Sequence, residues 1–307
     1  MRGMPFSGIP FAIREDNNMK LRERNYPISF MIPGILLFTL FFLIPFFVAF
    51  GYSFTNWNFQ EANFVGWKNY VAILTDPNMN VAFWNTFLFT TVTTFFKMGF
   101  GLILAVFLNG QSKKVKILRT IFFLPAVINT IAVGIAFKAL MHPSKGIINV
   151  TLNMIGLDGL AQNWLTNKSI AIFSVCAVEV WKWTGYTMMI LLAGLQMVPF
   201  EYYEAARIDG ASKWQQFKYI SFPLIRPSFN NSLILSIIGG LKVFDIILAT
   251  TGGGPGSTTQ VLNSVVYRSF SFNMQGQACA GTVILAAFVL VITLATYKQI
   301  TKQEVDS

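Results

Sequence analysis

Charge is scarce in this chain: 12% of its 307 residues are Asp, Glu, Lys or Arg, against roughly 25% in an ordinary soluble domain. Acid is the scarcer sign, with 13 acidic residues against 23 basic ones. The only histidine is His142, and there are two cysteines. Cys176 and Cys279 both fall inside apolar blocks, so they read as small buried hydrophobes and not as a disulfide framework. Without clustered Cys, His or Asp, no metal site is expected. The pattern G-x-x-x-x-G-K-[ST] is missing, so no nucleotide phosphate loop is expected either; the glycine-rich run TTGGGPGSTT has no lysine. The surplus of base is not interleaved with aromatics on one polar face, which argues against a nucleic-acid partner.

Apolar sequence is what the chain has in plenty. It is 54% hydrophobic with 31 Phe, and the apolar residues fall into blocks long enough to cross about 30 Å of hydrocarbon. A window of about 19 residues gives six spans, near Ile28 to Ser53, Phe83 to Leu108, Ile117 to Met141, Ser169 to Met197, Phe229 to Thr250 and Gly276 to Tyr297. The expected fold class is an all-α membrane protein with six transmembrane helices. The first span follows Arg22 and Arg24 as a signal peptide would, but it is longer than an h-region and no small-residue cleavage site follows, so it is expected to stay.

The basic residues then choose a direction. One group comprises Arg2, Arg14, Lys20, Arg22 and Arg24, then Lys113, Lys114, Lys116 and Arg119, then Arg207, Lys213, Lys218 and Arg226, then Lys298 and Lys302. The opposite loops carry Lys68, Lys145, Lys168 and Arg268. The positive-inside rule places the first group, and with it both termini, in the cytoplasm. The net charge of +10 is then mostly a topology signal. The chain divides into a basic cytoplasmic tail (1–27), a first span with its outer loop (28–82), a main membrane domain (83–299) and a short cytoplasmic tail (300–307). Within the loop from His142 to Lys168, GIINVTLNMIGL has helical spacing and reads as a short packing helix at the outer interface. Neither a tandem repeat nor a matching pair of broken helices is visible.

The polar interval EYYEAARIDGASKWQQFKYISFPLIRPS, Glu201 to Ser228, interrupts this apolar pattern. Pro199 suits a first helical turn, Asp209-Gly210 a stop, and Ser212 with Gln215 a capping box opening a second helix, Lys213 to Ile220, ended by Pro223. Two short helices at an angle suit docking into a pocket on another protein, with Trp214, Phe217, Tyr202 and Tyr203 as anchors. An elbow lying on lipid headgroups through Lys213 and Lys218 is the equal alternative on physical grounds.

Glu204-Ala205-Ala206, three residues, Gly210, nine residues, Ile220, one residue, Phe222-Pro223 resembles the EAA motif of the permease subunits of bacterial binding-protein-dependent ABC importers. Phe222 stands where Leu is usual. TTGGGPGSTTQVLNSVVYRSF, Thr250 to Phe270, and LKVFD, Leu241 to Asp245, resemble segments of the carbohydrate-uptake class, the maltose and glycerol-phosphate type. The resemblance covers nearly the whole chain. It implies the type I importer permease fold in a bacterial cytoplasmic membrane, a second similar permease, two ATPase subunits and an extracytoplasmic sugar-binding protein. The elbow is then the coupling segment, with Glu204, Ala205, Ala206, Asp209 and Gly210 at the joint to the ATPase. The resemblance further implies that ATP and Mg belong to the partner ATPases and that this chain itself binds no cofactor and catalyses no bond chemistry.

Charges inside a bilayer are costly and mark candidates for a substrate path. Glu179 with Lys182, and Lys242 with Asp245, are each spaced i,i+3 and could equally pair along one helix. Lys138 reads as a snorkelling residue, and Lys97 has no near partner in sequence. Glu179, Trp183 and Tyr186 share a helical face that offers a carboxylate and aromatic rings to a sugar; Trp181 points elsewhere. By the resemblance these positions, with Ser236, Gly239, Gly240 and Val243 in span five, correspond to a sugar cavity. Gly239-Gly240 either widens that cavity or lets another helix approach. The reading is a sugar permease, with an oligosaccharide as substrate. Glycerol 3-phosphate or another polyol-like solute is the alternative, kept open by Lys182 and Lys242. A membrane enzyme built on Glu179 and Asp245 is not needed, since their basic neighbours make pairing a sufficient explanation, and a six-span channel explains neither the elbow nor the glycine-rich segment.

Overall fold

A computed structural model describes residues 28–305, with side chains over 30–300. The expected basic tail (1–27) lies outside the described residues. The chain divides between Phe47 and Val48 into two compact units. Helix α1, Ile32–Tyr52, begins in the first and is apolar throughout, with a π-turn at Thr39–Leu43 and Phe38 stacked on Phe42 at 5.0 Å between ring centres.

The second unit is helical: α2 Lys68–Leu74, α3 Pro77–Phe107, α4 Lys113–Val127, α5 Thr130–Leu140, α6 Ile147–Met154, α7 Ala171–Gln196, α8 Phe200–Ile208, α9 Lys213–Gln216, α10 Arg226–Leu241, α11 Asp245–Thr250, α12 Leu262–Ser271 and α13 Gln275–Val305. Among the described residues α1, α3 and α13 are each long and apolar enough to cross a membrane, and α4 with α5 passes as a pair. Helix α7 is also long, 26 residues, but carries the buried Glu179 and Lys182. It is the axis of the bundle, and small residues let its neighbours approach. A Cβ on Gly185 would run into the carbonyl of Phe122 in α4, and one on Gly101 of α3 would come within 2.6 Å of Thr187 Cγ2. Replacing either hydrogen with a methyl forces the helices apart.

Two spans expected to be continuous are broken. The third is not one rod from Ile117 to Met141, because α4 and α5 meet at 96°. Pro125 removes one backbone donor inside α4, Ile128 is extended, and Asn129 restarts the helix, its Oδ1 accepting from Ile131 N at 2.9 Å and Ala132 N at 3.3 Å. The fifth is divided at Lys242–Phe244, where Phe244 has φ −153° and ψ −61°. Asn263 Nδ2 donates to the freed Lys242 carbonyl at 2.8 Å. Lys242 therefore caps α10 while Asp245 opens α11, so of the two alternatives for these charges, pairing along one helix does not arise.

The 142–168 loop does contain a short helix, α6. Asn149 is buried there, donating through Nδ2 to the carbonyls of Pro143 and Gln162, both at 2.9 Å, and accepting from Trp164 Nε1 at 2.7 Å. The glycine-rich segment before α12 is tied to α3: Asn85 Nδ2 donates to the carbonyls of Thr258 and Gln260, both at 2.9 Å, and Ser257 Oγ to Asn78 Oδ1 at 2.6 Å. Arg119 caps the end of α3, donating from Nη2 to the carbonyls of Leu108 at 2.7 Å and Gly110 at 2.8 Å.

Candidate functional site

The polar interval forms an elbow whose geometry follows from its residues. Pro199 is the N-cap of α8 and not part of its first turn. At the other end Gly210 takes φ +75°, a conformation glycine adopts without a Cβ penalty. Its N–H donates to Arg207 O at 3.1 Å and that of Ala211 to Ala206 O at 2.8 Å, the paired bonds of a Schellman stop. Ser212 and Gln215 form the expected reciprocal box, at 3.3 and 2.7 Å. Pro223 does not end the second arm: the chain passes from α9 through a π-turn, Phe217–Ser221, into Phe222–Leu224. The wider turn, with Phe222 N–H bonded to Phe217 O, accommodates a ring that an α-turn would push against.

Tyr203 OH lies 2.9 Å from Ser221 Oγ and ties the two arms together. Glu204, Ala205, Asp209 and Gly210 are exposed and Ala206 is half-buried. Around them Phe200, Tyr202, Ile208 and Trp214 also stand largely exposed, Ile208 at 86%. Phe217 is instead packed between Trp214 and Phe222, at 5.7 and 6.1 Å. The elbow is thus a bend presenting apolar side chains among three exposed carboxylates, Glu201, Glu204 and Asp209, and the exposed bases Arg207, Lys213 and Lys218.

A separate cavity of about 520 Å³ opens between α3, α5, α7, α10 and the α10–α11 break. All the candidate path residues line it except Gly240: Glu179, Trp183 and Tyr186 from α7, Ser236 and Gly239 from α10, and Lys242, Val243 and Asp245 from the break. The two glycines divide the roles considered for them. Nothing lies within 4 Å of a Cβ on Gly239, which faces the cavity, whereas a Cβ on Gly240 would come 2.8 Å from Thr90 Cα. Trp183 and Tyr186 meet edge to face at 5.9 Å. Trp181 packs against Phe137 at 5.1 Å, away from the cavity.

The charges are arranged differently from a simple pairing within α7. Lys182 does not meet Glu179 but turns to α4, its Nζ donating to the carbonyls of Pro125 at 3.2 Å, Ala126 at 3.3 Å and Ile128 at 2.6 Å. It does not line the cavity. In its place Lys97 of α3 does, together with Thr130, Ser232 and Phe244. Of these the sequence had flagged Lys97, as a charge inside an apolar run; the others carried no signal, being ordinary polar or aromatic residues brought in by the helix breaks. Among the described residues no group of three or more His, Cys, Asp or Glu could hold a metal ion.

Residues 97–299 match the family described as binding-protein-dependent transport system inner membrane component. The chain is 37% identical over 274 residues to the probable ABC transporter permease protein YurN of Bacillus subtilis, covering 88% of this chain and 92% of that one. It is 34% identical to the arabinooligosaccharides transport system permease protein AraP of the same species, covering 94% of each. A chain in the crystal structure of a bacterial ABC transporter involved in the import of the acidic polysaccharide alginate superposes with a TM-score of 0.79 at 25% identity, covering 89% of this chain and 94% of that one.

Proposed function

As the chain belongs to the binding-protein-dependent transport system inner membrane component family, we propose that it is one permease subunit of an ATP-driven importer that carries an oligosaccharide across a bacterial cytoplasmic membrane. The observation that carries this reading is the cavity of about 520 Å³ in which Trp183 and Tyr186 stand beside Glu179, Ser236 and Asp245. Aromatic faces suit the C–H face of a pyranose or furanose, and carboxylates and hydroxyls suit its OH groups. The arabinooligosaccharide relative agrees with a sugar of more than one ring.

In this reading α1, α3, the α4–α5 pair, α7, the α10–α11 pair and α13 are six crossings with both termini in the cytoplasm. A second, similar permease completes the path, an extracytoplasmic binding protein delivers the sugar, and two ATPase subunits bind ATP and Mg. The elbow, through Glu204, Ala205, Ala206, Asp209 and Gly210, seats in the ATPase. Closure of the ATPase pair moves the elbow and switches the cavity between its inward and outward openings; this chain contributes binding and motion, not bond chemistry. An exposed bend whose apolar side chains stand among charges of both signs, Glu201, Glu204 and Asp209 with Arg207, Lys213 and Lys218, fits a protein pocket better than an anionic lipid surface, which a uniformly basic face would suit.

The test is ATP hydrolysis by the coexpressed complex in nanodiscs, across a panel of sugars presented with the cognate binding protein, for wild type and Glu204→Ala. Stimulation by one sugar, abolished in Glu204→Ala, is the expected result. Indifference of the wild type to every sugar overturns the carbohydrate assignment, and normal stimulation in Glu204→Ala overturns the role of the elbow.

A further inference from the structure

Four charged side chains face the cavity, and their formal charges cancel: Lys97 and Lys242 against Glu179 and Asp245. The two deepest are not spent on the protein. Lys97 is 3% exposed and Glu179 6%, yet both reach the cavity wall. Among the described residues neither makes a hydrogen bond or a direct ion pair, although the two act on each other electrostatically. Lys182 shows what commitment to the protein looks like, with all three of its bonds given to carbonyls at the end of α4 and in the bend beyond it. A buried ammonium and a buried carboxylate left with open donors and acceptors are costly unless something polar completes them.

Resting on the sugar-permease reading above, we propose that Lys97 is a substrate-reading residue. Lys97 and Glu179 together take two hydroxyls of one sugar ring, and the balanced charge of the cavity selects an uncharged oligosaccharide over a uronate or a phosphate ester. The carboxylate of Glu179 accepts from one hydroxyl, and the ammonium of Lys97 donates to the oxygen of another. Trp183 and Tyr186 cover the opposite face of the ring. A neutral sugar leaves the four charges matched. An anionic one adds a charge to a site whose two carboxylates already balance its two ammonium groups, so one negative charge is left buried without a counterpart. Lys97 comes from α3, so this contact also joins that helix to the sugar-bearing face of α7.

The experiment is ATP-driven uptake into proteoliposomes by the whole complex with its binding protein. The neutral probes are arabinotriose, maltotriose and raffinose, and the anionic ones are an alginate trisaccharide and glycerol 3-phosphate. The wild type is expected to import a neutral probe and reject both anions. Removing the charged donor in Lys97→Met should raise the half-saturating concentration of that probe about tenfold, the loss of one hydrogen bond to a charged group. Maximal uptake should hold within about twofold, and Lys97→Arg should recover most of the affinity, a pattern that a purely structural role for Lys97 would not produce. An unchanged half-saturating concentration in Lys97→Met overturns the proposal, as does import of either anion by the wild type. The second of these needs no variant to fold. Import of no probe at all, with no stimulation by any sugar, instead overturns the sugar-permease reading beneath it.

Discussion

The ammonium of Lys182 lies 2.6 Å from the carbonyl oxygen of Ile128, in the bend where α4 gives way to α5. The last carbonyls of a helix lack the full set of partners within it, and here a cation from the neighbouring helix reaches two of them, Pro125 and Ala126, and the carbonyl of Ile128 just beyond, at the negative end of the α4 dipole. The contact joins the bend to α7 one residue before Trp183, whose ring lies 4.7 Å from the same ammonium.

Lys182→Met keeps most of the side-chain volume and removes the charged donor from all three carbonyls, leaving Pro125 O only the N–H of Ile128 at 3.3 Å, so it should destabilise the assembled complex by about 2–3 kcal/mol. Lys182→Arg, which keeps the charge and the donors, should cost less. Thermal unfolding of the purified complex separates the two, and equal midpoints for Met and Lys would show that the bend does not depend on this bond.

Gly239 and Gly240 give a sharper contrast, because they are adjacent. Alanine at Gly240 presses on the Thr90 backbone at 2.8 Å and should cost about 1–3 kcal/mol, the usual penalty of overpacking. Alanine at Gly239 meets nothing within 4 Å and gains up to about 1 kcal/mol of helix propensity. The larger Gly239→Leu should leave the melting temperature near wild type while reducing uptake of longer oligosaccharides before shorter ones. A loss of stability in Gly239→Ala equal to that in Gly240→Ala would contradict the division of roles.

What the sequence disclosed and what it withheld follow the range of the interactions. The elbow was legible because its causes are local: Gly210 with its left-handed φ, and Ser212 with Gln215 three residues on. The face of Glu179, Trp183 and Tyr186 was legible because one helical period relates them. Where Lys182 is spent was not legible, because its partners lie at the end of another helix and just beyond it, 54 residues away in the case of Ile128. The two breaks were hidden inside apolar runs, where hydropathy is blind to backbone direction; Pro125 and Asn129 were the available clues to the first. Pro223 misled because a proline usually stops a helix, and a π-turn before it removed the reason to stop.

The elbow should tolerate loss of its cap better than loss of its stop. Ser212→Ala removes one of the two reciprocal bonds, a cost of about 1 kcal/mol, and leaves the bend in place. Gly210→Ala forces a Cβ into φ +75°, costing about 1–2 kcal/mol, and it does so at the turn that sets the angle between the arms. Sugar-stimulated ATP hydrolysis is therefore expected to fall further in Gly210→Ala than in Ser212→Ala, with Gly210→Asn intermediate because Asn tolerates the left-handed region. The reverse order would mean that the angle of the bend does not matter to coupling.

Asn85 allows a test in which the conservative change is the worse one. Its amide nitrogen donates to the carbonyls of Thr258 and Gln260, and beside it Thr86 Oγ1 accepts from Leu262 N at 3.0 Å, so the start of α12 and the glycine-rich segment before it hang on one turn of α3. Asn85→Ala removes two donors and should lower protection from hydrogen exchange across residues 253–262 about tenfold, the equivalent of one to two hydrogen bonds. Asn85→Asp has almost the same shape but turns an acceptor toward two carbonyl oxygens, adding repulsion to the lost bonds. Exchange in that segment should therefore be faster in Asn85→Asp than in Asn85→Ala. If Asp protects as well as Asn does, the segment is held by its own turns, Thr251 Oγ1 to Thr259 Oγ1 at 2.7 Å and Thr259 Oγ1 to Gly254 O at 2.6 Å, and not by α3.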